Sequence, residues 1–358
     1  MKILEITSEL DGGGVDRLLY DYCSRLIPDV QFDFVATSKF EGMLEQPLKD
    51  LGCNVYHIAQ LREDLKLHKK QLSEILENGQ YDIIHDHSGY KAYFNLKLAK
   101  KLGVKGRIAH SHIAYIPESA KNRLQRKIVT LLTKVYATDL FACGRDAAKW
   151  MWGEKDDVYI MTNAIHTERF AFSEETRNRI RKELGLEGKF VIGDVARFSY
   201  QKNHEFLIRI FAQVKKLRSD AVLVLIGRGE LEDDVKQQVK DMGLTDSVIF
   251  MGVRNDVPEL LNALDIFLLP SRFEGLPVTV VEVQANGLAT FAADTITDEI
   301  KLLPNVNYLP LEMSAAEWAK AIVKADISRI MNGLSNSKYD IEYAVNSLKD
   351  RYEKINTK

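Results

Sequence analysis

Cysteine is scarce in this sequence, with three residues among 358. So few thiols, and an odd number of them, exclude the disulfide framework of a small secreted domain. Cys23, Cys53 and Cys143 each lie within a periodic apolar segment. They are therefore expected to be buried thiols of a protein in the reducing cytoplasm.

Long apolar runs are missing too, and no stretch is long enough to cross a bilayer. The first ten residues, MKILEITSEL, are interrupted by Glu5 and lack the apolar core of a signal peptide. A net charge of -2 gives no general attraction to nucleic acid or membrane. These absences favour a soluble cytoplasmic protein that binds no nucleic acid.

What is present is a long alternation of strand-like and helix-like segments, interrupted near residues 163–170. Such alternation is typical of doubly wound parallel sheets, and 358 residues exceed one ordinary core. We therefore predict an α/β protein with domains at 1–168 and 169–335. Helices are predicted at 315–331 and 339–354, and the terminal segment 336–358 is expected to cap the second domain or cross back to the first.

The stretch at 267–289 combines a buried strand, a turn and a helix, which Leu276 and Pro277 are predicted to begin. Unpaired N–H groups at a helix start attract anions. Two carboxylates, Glu274 and Glu282, stand eight residues apart and suit hydroxyl groups better than negative charge. A ligand with both phosphate and hydroxyls, such as a sugar nucleotide, satisfies both features.

Glycine turns follow other predicted strands. Residues 11–14, DGGG, come between a strand at 2–8 and a helix at 15–27, which indicates either a phosphate-binding loop or a tight turn. Their spacing is not the G-x-G-x-x-G of dinucleotide-binding proteins, which disfavours a nicotinamide oxidoreductase. A second turn begins at Gly227, and Arg197 and Lys202 follow the strand at 190–195. Each cation alone could be solvated charge, but together they suit phosphate.

Two predicted strands of the first domain end in histidines, at 85 and 87 and at 110 and 112. A metal site is one interpretation, to which Asp86 would contribute. We expect the two rings of each His-x-His pair to point to opposite faces, and no cysteine or glutamate cluster completes a ligand set. Polar contacts to a ligand are therefore favoured over a metal.

Residues 117–137 predict an amphipathic helix with cations at Lys121, Arg123, Arg126, Lys127 and Lys134. Its apolar stripe consists of Leu124, Ile128, Leu131, Leu132 and Val135. The simpler interpretation is a surface helix packed on the sheet. The alternative is peripheral contact with an anionic membrane.

Five segments in order carry a resemblance to a known family: AHSHI, FACGRDAAKW, ARFSYQKNH, GVRNDVPELL and SRFEGLPVTVVEVQANGL. The chain resembles, over essentially its whole length, the retaining glycosyltransferases of family 4. It is most similar to those of bacterial capsule and exopolysaccharide synthesis. The resemblance implies the GT-B fold, in which two Rossmann-like parallel-sheet domains face a cleft.

The resemblance also implies roles for residues near the donor's phosphates. Gly13 and Gly14 would lie against the diphosphate and sugar from the first domain. Arg197 and Lys202 would neutralise the diphosphate from the second, beside the turn at Gly227. These two cations would thus be the main catalytic groups, and no metal or other cofactor would be required.

Other implied roles belong to the stretch that begins the helix. Glu274 would hydrogen-bond hydroxyls of the donor sugar, and Gly275, Leu276 and Pro277 would surround the sugar and phosphate. Glu282 would hold the ribose hydroxyls.

The family histidine near the anomeric carbon matches His110, and the backbone at Val253 and Arg254 would face the nucleobase. The sequence departs from the family at Asp16, where glutamate is usual, and at Ala289, where proline is usual. Neither departure affects the implied phosphate ligands.

The implied activity is retaining transfer of a hexose or N-acetylhexosamine from a nucleotide sugar, with UDP favoured, to a saccharide or polyprenyl-linked saccharide. Such an enzyme would be cytoplasmic and would associate peripherally with the inner face of the cytoplasmic membrane. The alternatives are a sugar-nucleotide epimerase of the same fold and a noncatalytic partner subunit. The epimerase would release a rearranged sugar, and the subunit would have eroded phosphate ligands.

Overall fold

The computed structural model describes residues 1–11, 14–112, 120–154, 157–274 and 276–357. The chain forms two compact units, one of residues 1–165 with 341–358 and the other of residues 166–340. Cys23, Cys53 and Cys143 are buried, as predicted.

Within its described residues, the first unit has a seven-stranded parallel sheet in the order β3-β2-β1-β4-β5-β6-β7. The strands are β1 (Lys2–Thr7), β2 (Gln31–Ala36), β3 (Asn54–His57), β4 (Ile83–Asp86), β5 (Gly106–Ser111), β6 (Asp139–Ala142) and β7 (Val158–Ile160). The helices are α1 (Gly14–Leu26), α2 (Glu45–Asp50), α3 (Leu65–Gly79), α4 (Tyr93–Lys101), α5 (Ala120–Tyr136) and α6 (Arg145–Trp152). Neighbouring residues of a strand point to opposite faces, so Ile83 and Ile84 enter different apolar cores.

The second unit has, among its described residues, a six-stranded parallel sheet in the order β10-β9-β8-β11-β12-β13. Its strands are β8 (Phe190–Val195), β9 (Ala221–Ile226), β10 (Val248–Gly252), β11 (Ile266–Leu269), β12 (Ala289–Ala293) and β13 (Val306–Leu309). Its helices are α7 (Glu174–Glu183), α8 (His204–Leu217), α9 (Glu232–Asp241), α10 (Val257–Ala263), α11 (Val278–Ala285) and α12 (Ala315–Val323). The last helix of the chain, α13 (Ile341–Asn356), belongs to the first unit. The α/β class with two parallel sheets is thus confirmed.

One predicted helix is too long. Residues 315–331 were expected to be helical throughout, but α12 ends at Val323. The following segment is held by tertiary contacts instead: the Ile330 amide donates to the Gly287 carbonyl at 3.2 Å. Arg329 is directed to backbone carbonyls of Leu261 and Asn262, both at 3.3 Å. These bonds replace the helical ones that the sequence periodicity favours.

The helix α5 lies at the surface, as predicted, but its apolar stripe does not face the protein interior. Its members are 37% to 64% exposed: Leu124, Ile128, Leu131, Leu132 and Val135. The buried face of α5 is the one that carries Arg126, Thr130 and Thr133. The Thr133 hydroxyl donates to the Tyr90 carbonyl at 2.6 Å, and the Arg126 guanidinium lies 4.1 Å from the centre of the Trp150 ring. These polar contacts fix which face of the helix is turned inward. In the part of the chain that the structure describes, no helix is long and apolar enough to traverse a bilayer.

Candidate active site

The second unit carries most of the predicted donor residues at one edge of its sheet. Strands β9 and β11 lie on either side of β8, so the chain changes direction across the sheet between β8 and β11. Loops at the carboxyl ends of such strands form the usual ligand crevice of open parallel sheets. The loop at residues 196–203 follows β8, and residues 270–277 follow β11.

These two loops are joined through polar side chains. The Lys202 ammonium lies 2.6 Å from one carboxylate oxygen of Glu274, and the Gln201 amide donates to the other at 2.8 Å. The Lys202 and Glu274 side chains are only 17% and 5% exposed. Because both partners are largely buried, the pair is held in one place and presents a cation and a carboxylate side by side.

Arg197 is held much less firmly. Its guanidinium is 72% exposed and its Nε donates to Glu230 at 3.1 Å. An exposed ion pair of this kind contributes little to stability. The Arg197 side chain is therefore available to an anionic ligand at little cost.

Gly227 permits the close approach of the loops after β8 and β9. Its φ is +134°, and a Cβ atom there would lie 2.1 Å from the Ala196 carbonyl oxygen. Side chains are rarely tolerated at such an angle. The glycine turn therefore exists because two loops of the site share this space.

Val253 and Arg254 directly follow β10, two strands away from β8. Val253 is 68% exposed. Arg254 donates two bonds to Asp256, at 2.8 and 2.6 Å. The structure thus places this segment at the same sheet edge, with its backbone near the surface.

Glu282 lies on α11, which begins at Val278 rather than at the predicted Leu276 and Pro277. Pro277 immediately precedes the helix, and both it and Leu276 are buried. Burial raises the pKa of Glu282 to about 7, although the charge of Arg169 acts in the opposite direction. A carboxylate with so high a pKa is poised to accept hydrogen bonds from a ligand. Gly275 lies outside the described residues.

In the first unit, Gly13 also lies outside the described residues, and Gly14 is the first residue of α1. The prediction for the histidine rings is wrong: they do not split between faces. Ring centres of His85 and His87 are 4.2 Å apart, and those of His110 and His112 are 4.0 Å apart. Residues two apart in a strand share a face, so adjacent strands bring all four rings together.

The histidines form one hydrogen-bonded network with Glu5. His87 Nε2 lies 2.8 Å from Glu5, and His87 Nδ1 lies 2.8 Å from His112 Nε2. His85 Nε2 lies 3.1 Å from His110 Nδ1. Burial lowers the pKa values of His85, His110 and His112, which keeps these rings neutral near pH 7. Burial would raise the pKa of Glu5, but the histidines outweigh it and lower that pKa to about 2.

Three of these rings could hold a metal on geometry alone. Ligand atoms of His85, His87 and His110 lie within 4.8 Å of one another. Yet both nitrogens of His85 and His87 already have partners, with Tyr352 2.8 Å from His85 Nδ1. The absence of a metal requirement stays a prediction.

His110 itself is fully buried, and its Nε2 has no partner among the described residues. The adjoining cavity of about 530 Å³ is lined by His87 and His112 rather than by His110. His110 therefore lies behind the rings that face this cavity.

Sequence reasoning missed Glu5 and Tyr352 as members of this network. The Tyr352 hydroxyl donates to Glu5 at 3.1 Å, across 347 residues of chain. A charged residue in the middle of a buried strand was a signal for Glu5. Tyr352 gave no such signal, because a tyrosine on the apolar side of a helix is ordinary core.

Two units, each with a parallel sheet flanked by helices, are the architecture of the GT-B fold. Residues 176–300 match the family described as glycosyl transferases group 1, so the chain carries a domain of that family. It is 29% identical to the putative glycosyltransferase EpsF of Bacillus subtilis, over 98% of this chain and 96% of that protein.

A second relative is the UDP-Gal:alpha-D-GlcNAc-diphosphoundecaprenol alpha-1,3-galactosyltransferase of Escherichia coli. It is 27% identical over 91% of this chain and 90% of its own length. Among solved structures, Anabaena HepE in complex with UDP has a TM-score of 0.84 at 18% identity. That similarity covers 99% of this chain and 100% of HepE and supports the same fold.

Proposed function

We propose that this glycosyltransferase transfers a hexose or N-acetylhexosamine from a UDP-sugar, with retention, to a glycan or lipid-linked acceptor of a bacterial surface polysaccharide. The observation that carries the proposal is the pair of Lys202 and Glu274, 2.6 Å apart at the sheet edge with Arg197 nearby in sequence. A nucleotide sugar joins a diphosphate to a sugar, and a protein can bind that part of it with a cation for the phosphate and a carboxylate for the sugar hydroxyls.

In this proposal, separate protein groups bind the diphosphate, the sugar, the ribose and the base of the donor. Lys202 and Arg197 bind the diphosphate, while Glu274 accepts hydrogen bonds from the sugar hydroxyls. Glu282 accepts them from the ribose. Backbone at Val253 faces the base, where its exposure leaves room for a planar ring.

Remaining donor contacts are proposed for glycines and for the start of α11. Gly13, Gly14 and Gly275 lie against the sugar and diphosphate. Leu276 and Pro277 enclose the sugar beside unpaired N–H groups of the helix.

The reaction breaks the bond between the anomeric carbon and the phosphate oxygen, and the electron pair leaves with the diphosphate. Fixed cations stabilise the charge that develops there, which is where preorganised electrostatics has most effect. The acceptor oxygen bonds to the same face of the sugar. Because the new bond forms on the face that the diphosphate leaves, the anomeric configuration is retained, and the acceptor proton passes to the departing phosphate oxygen. The family resemblance assigns His110 to the surroundings of the anomeric carbon, and the proposed role would be exerted from behind the rings of His87 and His112.

Two findings on similar proteins support the choice of substrates. HepE has been crystallised with UDP, which supports a uridine nucleotide here. The Escherichia coli relative acts on a diphosphoundecaprenol-linked sugar, which supports a lipid-linked acceptor.

Peripheral membrane contact through α5 is part of the proposal. The exposed stripe of that helix would enter the interface, and Lys121, Arg123 and Lys127 are exposed beside it. Each basic residue near an anionic surface contributes about 1 kcal/mol, so these three give about 3 kcal/mol. Arg126 is not a contributor, since it lies against Trp150.

Liposome co-sedimentation tests the membrane contact. Replacing Lys121, Arg123 and Lys127 by glutamine should abolish sedimentation with anionic vesicles at low salt. The matched control replaces three exposed lysines of the second unit, Lys182, Lys240 and Lys320. Equal sedimentation of both triple variants would contradict the role of α5.

Donor hydrolysis across UDP-, GDP- and ADP-sugars tests the enzymatic proposal. We expect release of UDP from one UDP-sugar, and loss of that release in the Lys202→Ala variant. A preference for GDP- or ADP-sugars would contradict the proposal that the donor's base is uracil. Activity that is unaffected by Lys202→Ala would contradict the proposed donor site at Lys202.

A further inference from the structure

Two neighbouring cavities of the first unit share part of their walls. One is the cavity of about 530 Å³ that His87 and His112 line, and the other has a volume of about 490 Å³. Leu61, Arg62, Tyr90 and Lys91 line both. The two cavities are therefore adjacent, and the path that they form together extends from the histidine network to α5.

The shared wall is positively charged. Arg62 and Lys91 have no carboxylate within 4.0 Å among residues that the structure describes. Burial, and then the charge of Arg62, lower the pKa of Lys91. Two cations that repel each other without a counter-charge are relieved by an anion bound between them.

Beyond these cations the second cavity has a mixed lining, in which Asn122, Gln125 and Arg126 are polar and the other side chains are largely apolar. Leu65 at the start of α3, Phe94 on α4 and Val129 on α5 contribute to its wall. Leu65 is 38% exposed, so apolar surface here is left open to solvent. The preceding residue of α5, Ile128, belongs to the exposed stripe of that helix. Hydrocarbon that entered this cavity would thus continue onto an apolar surface.

Along the path from the histidines to α5, the positive charge of Arg62 and Lys91 is therefore followed by apolar surface. A space beside the histidines that is large enough for a sugar comes first, a pair of cations next and a partly apolar cavity last. An amphiphile with a saccharide, a diphosphate and a hydrocarbon chain has these chemical parts in the same order.

We propose that this path is the acceptor subsite, in which Arg62 and Lys91 bind the diphosphate of a polyprenyl-diphosphate-linked saccharide. The first isoprenoid units occupy the cavity lined by Phe94 and Val129, and the saccharide points toward His87 and His112. The inference rests on the proposed glycosyl transfer and names the acceptor class for it.

Binding of farnesyl diphosphate to the full chain, without vesicles, tests this subsite. The probe carries both a diphosphate and an isoprenoid chain, while farnesol and inorganic diphosphate each carry one. We expect farnesyl diphosphate to bind more tightly than either. Arg62→Gln and Lys91→Gln should each weaken that binding about tenfold, because each removes a charge-assisted hydrogen bond.

Lys101→Gln is the matched control, since Lys101 is an exposed cation at the end of α4 outside both cavities. Lys91→Arg keeps the charge and should retain most of the affinity. Titration of UDP into the same preparations reports on the donor site of the second unit and should be unchanged by any of these substitutions.

Several results would overturn the subsite. One is equal affinity for farnesyl diphosphate in Arg62→Gln, Lys91→Gln and the control. Another is inorganic diphosphate binding as tightly as the farnesyl compound, which would indicate a site for free phosphate or a lipid headgroup. Either result together with intact donor hydrolysis would leave the proposed function standing, whereas loss of UDP binding in the wild type would contradict that function itself.

Discussion

Replacing Glu282 by glutamine should weaken nucleotide binding and stabilise the ligand-free protein at alkaline pH. Both effects have one cause, because burial raises the pKa of this carboxyl group from 4.5 to about 7. The charged form is therefore disfavoured in the folded protein until a ligand supplies hydrogen bonds. Glutamine keeps the shape but has no charge to bury.

The size of the stability effect follows from proton linkage. Below pH 4.5 the carboxyl group is protonated in both folded and unfolded chains, so it contributes no pH dependence. Between pH 4.5 and about 7 the folded protein retains a proton that the unfolded chain has lost, and stability falls as the pH rises. Above that window the full difference of about 3 kcal/mol opposes folding.

Urea denaturation of the ligand-free protein at pH 5 and pH 8.5 measures this difference. The Glu282→Gln variant should be more stable than wild type at pH 8.5, by up to about 3 kcal/mol, and much closer to it at pH 5. Glu187→Gln, at an exposed position, is the control and should change neither value. A Glu282→Gln variant that is no more stable than wild type at pH 8.5 would show that burial of the charged Glu282 carboxylate does not oppose folding.

Nucleotide binding gives the second half of the test. In wild type, UDP affinity should fall as the pH drops below about 7, because only the ionised carboxylate accepts two hydroxyl hydrogen bonds. In Glu282→Gln the affinity should be lower and independent of pH in this range. Calorimetric titration at pH 6 and pH 8 measures both.

Other substitutions separate the remaining parts of the site. Arg197→Ala and Lys202→Ala should each lower turnover by roughly two to three orders of magnitude, as expected for one lost electrostatic donor, and near-normal steady-state rates in both would contradict this. Glu274→Gln should leave UDP affinity near wild type, as measured by calorimetry, but should slow donor hydrolysis. A loss of UDP affinity equal to that of Glu282→Gln would contradict the separate roles of Glu274 in sugar binding and Glu282 in ribose binding. Gly227→Ala should destabilise the protein by about 2 kcal/mol or more, because its Cβ would meet the Ala196 carbonyl, and an unchanged melting temperature would exclude that clash.

Both sheets could be predicted from the sequence, because parallel strands that are buried on two faces have short apolar sequences between helices. It also placed Lys202 and Glu274 at strand ends, where the structure brings them to 2.6 Å. Their contact is a tertiary one, which no local pattern encodes.

Other features could not be predicted for related reasons. An apolar stripe shows that a helix has two faces but does not show which face packs on a neighbour, so the inward face of α5 could not be predicted. The helix α12 ends early because Ile330 bonds to Gly287, a partner far away in sequence. Tyr352 reaches the histidine network only because α13 belongs to the first unit.

The most direct test of the proposed activity is the anomeric configuration of the transfer product. The enzyme would be incubated with the α-linked UDP-sugar that it hydrolyses and with a saccharide on a farnesyl diphosphate, and the product would be examined by proton NMR. Transfer with retention predicts an α-linked sugar on the acceptor together with stoichiometric UDP. A β-linked product, or a rearranged free sugar with no sugar added to the acceptor, would contradict it.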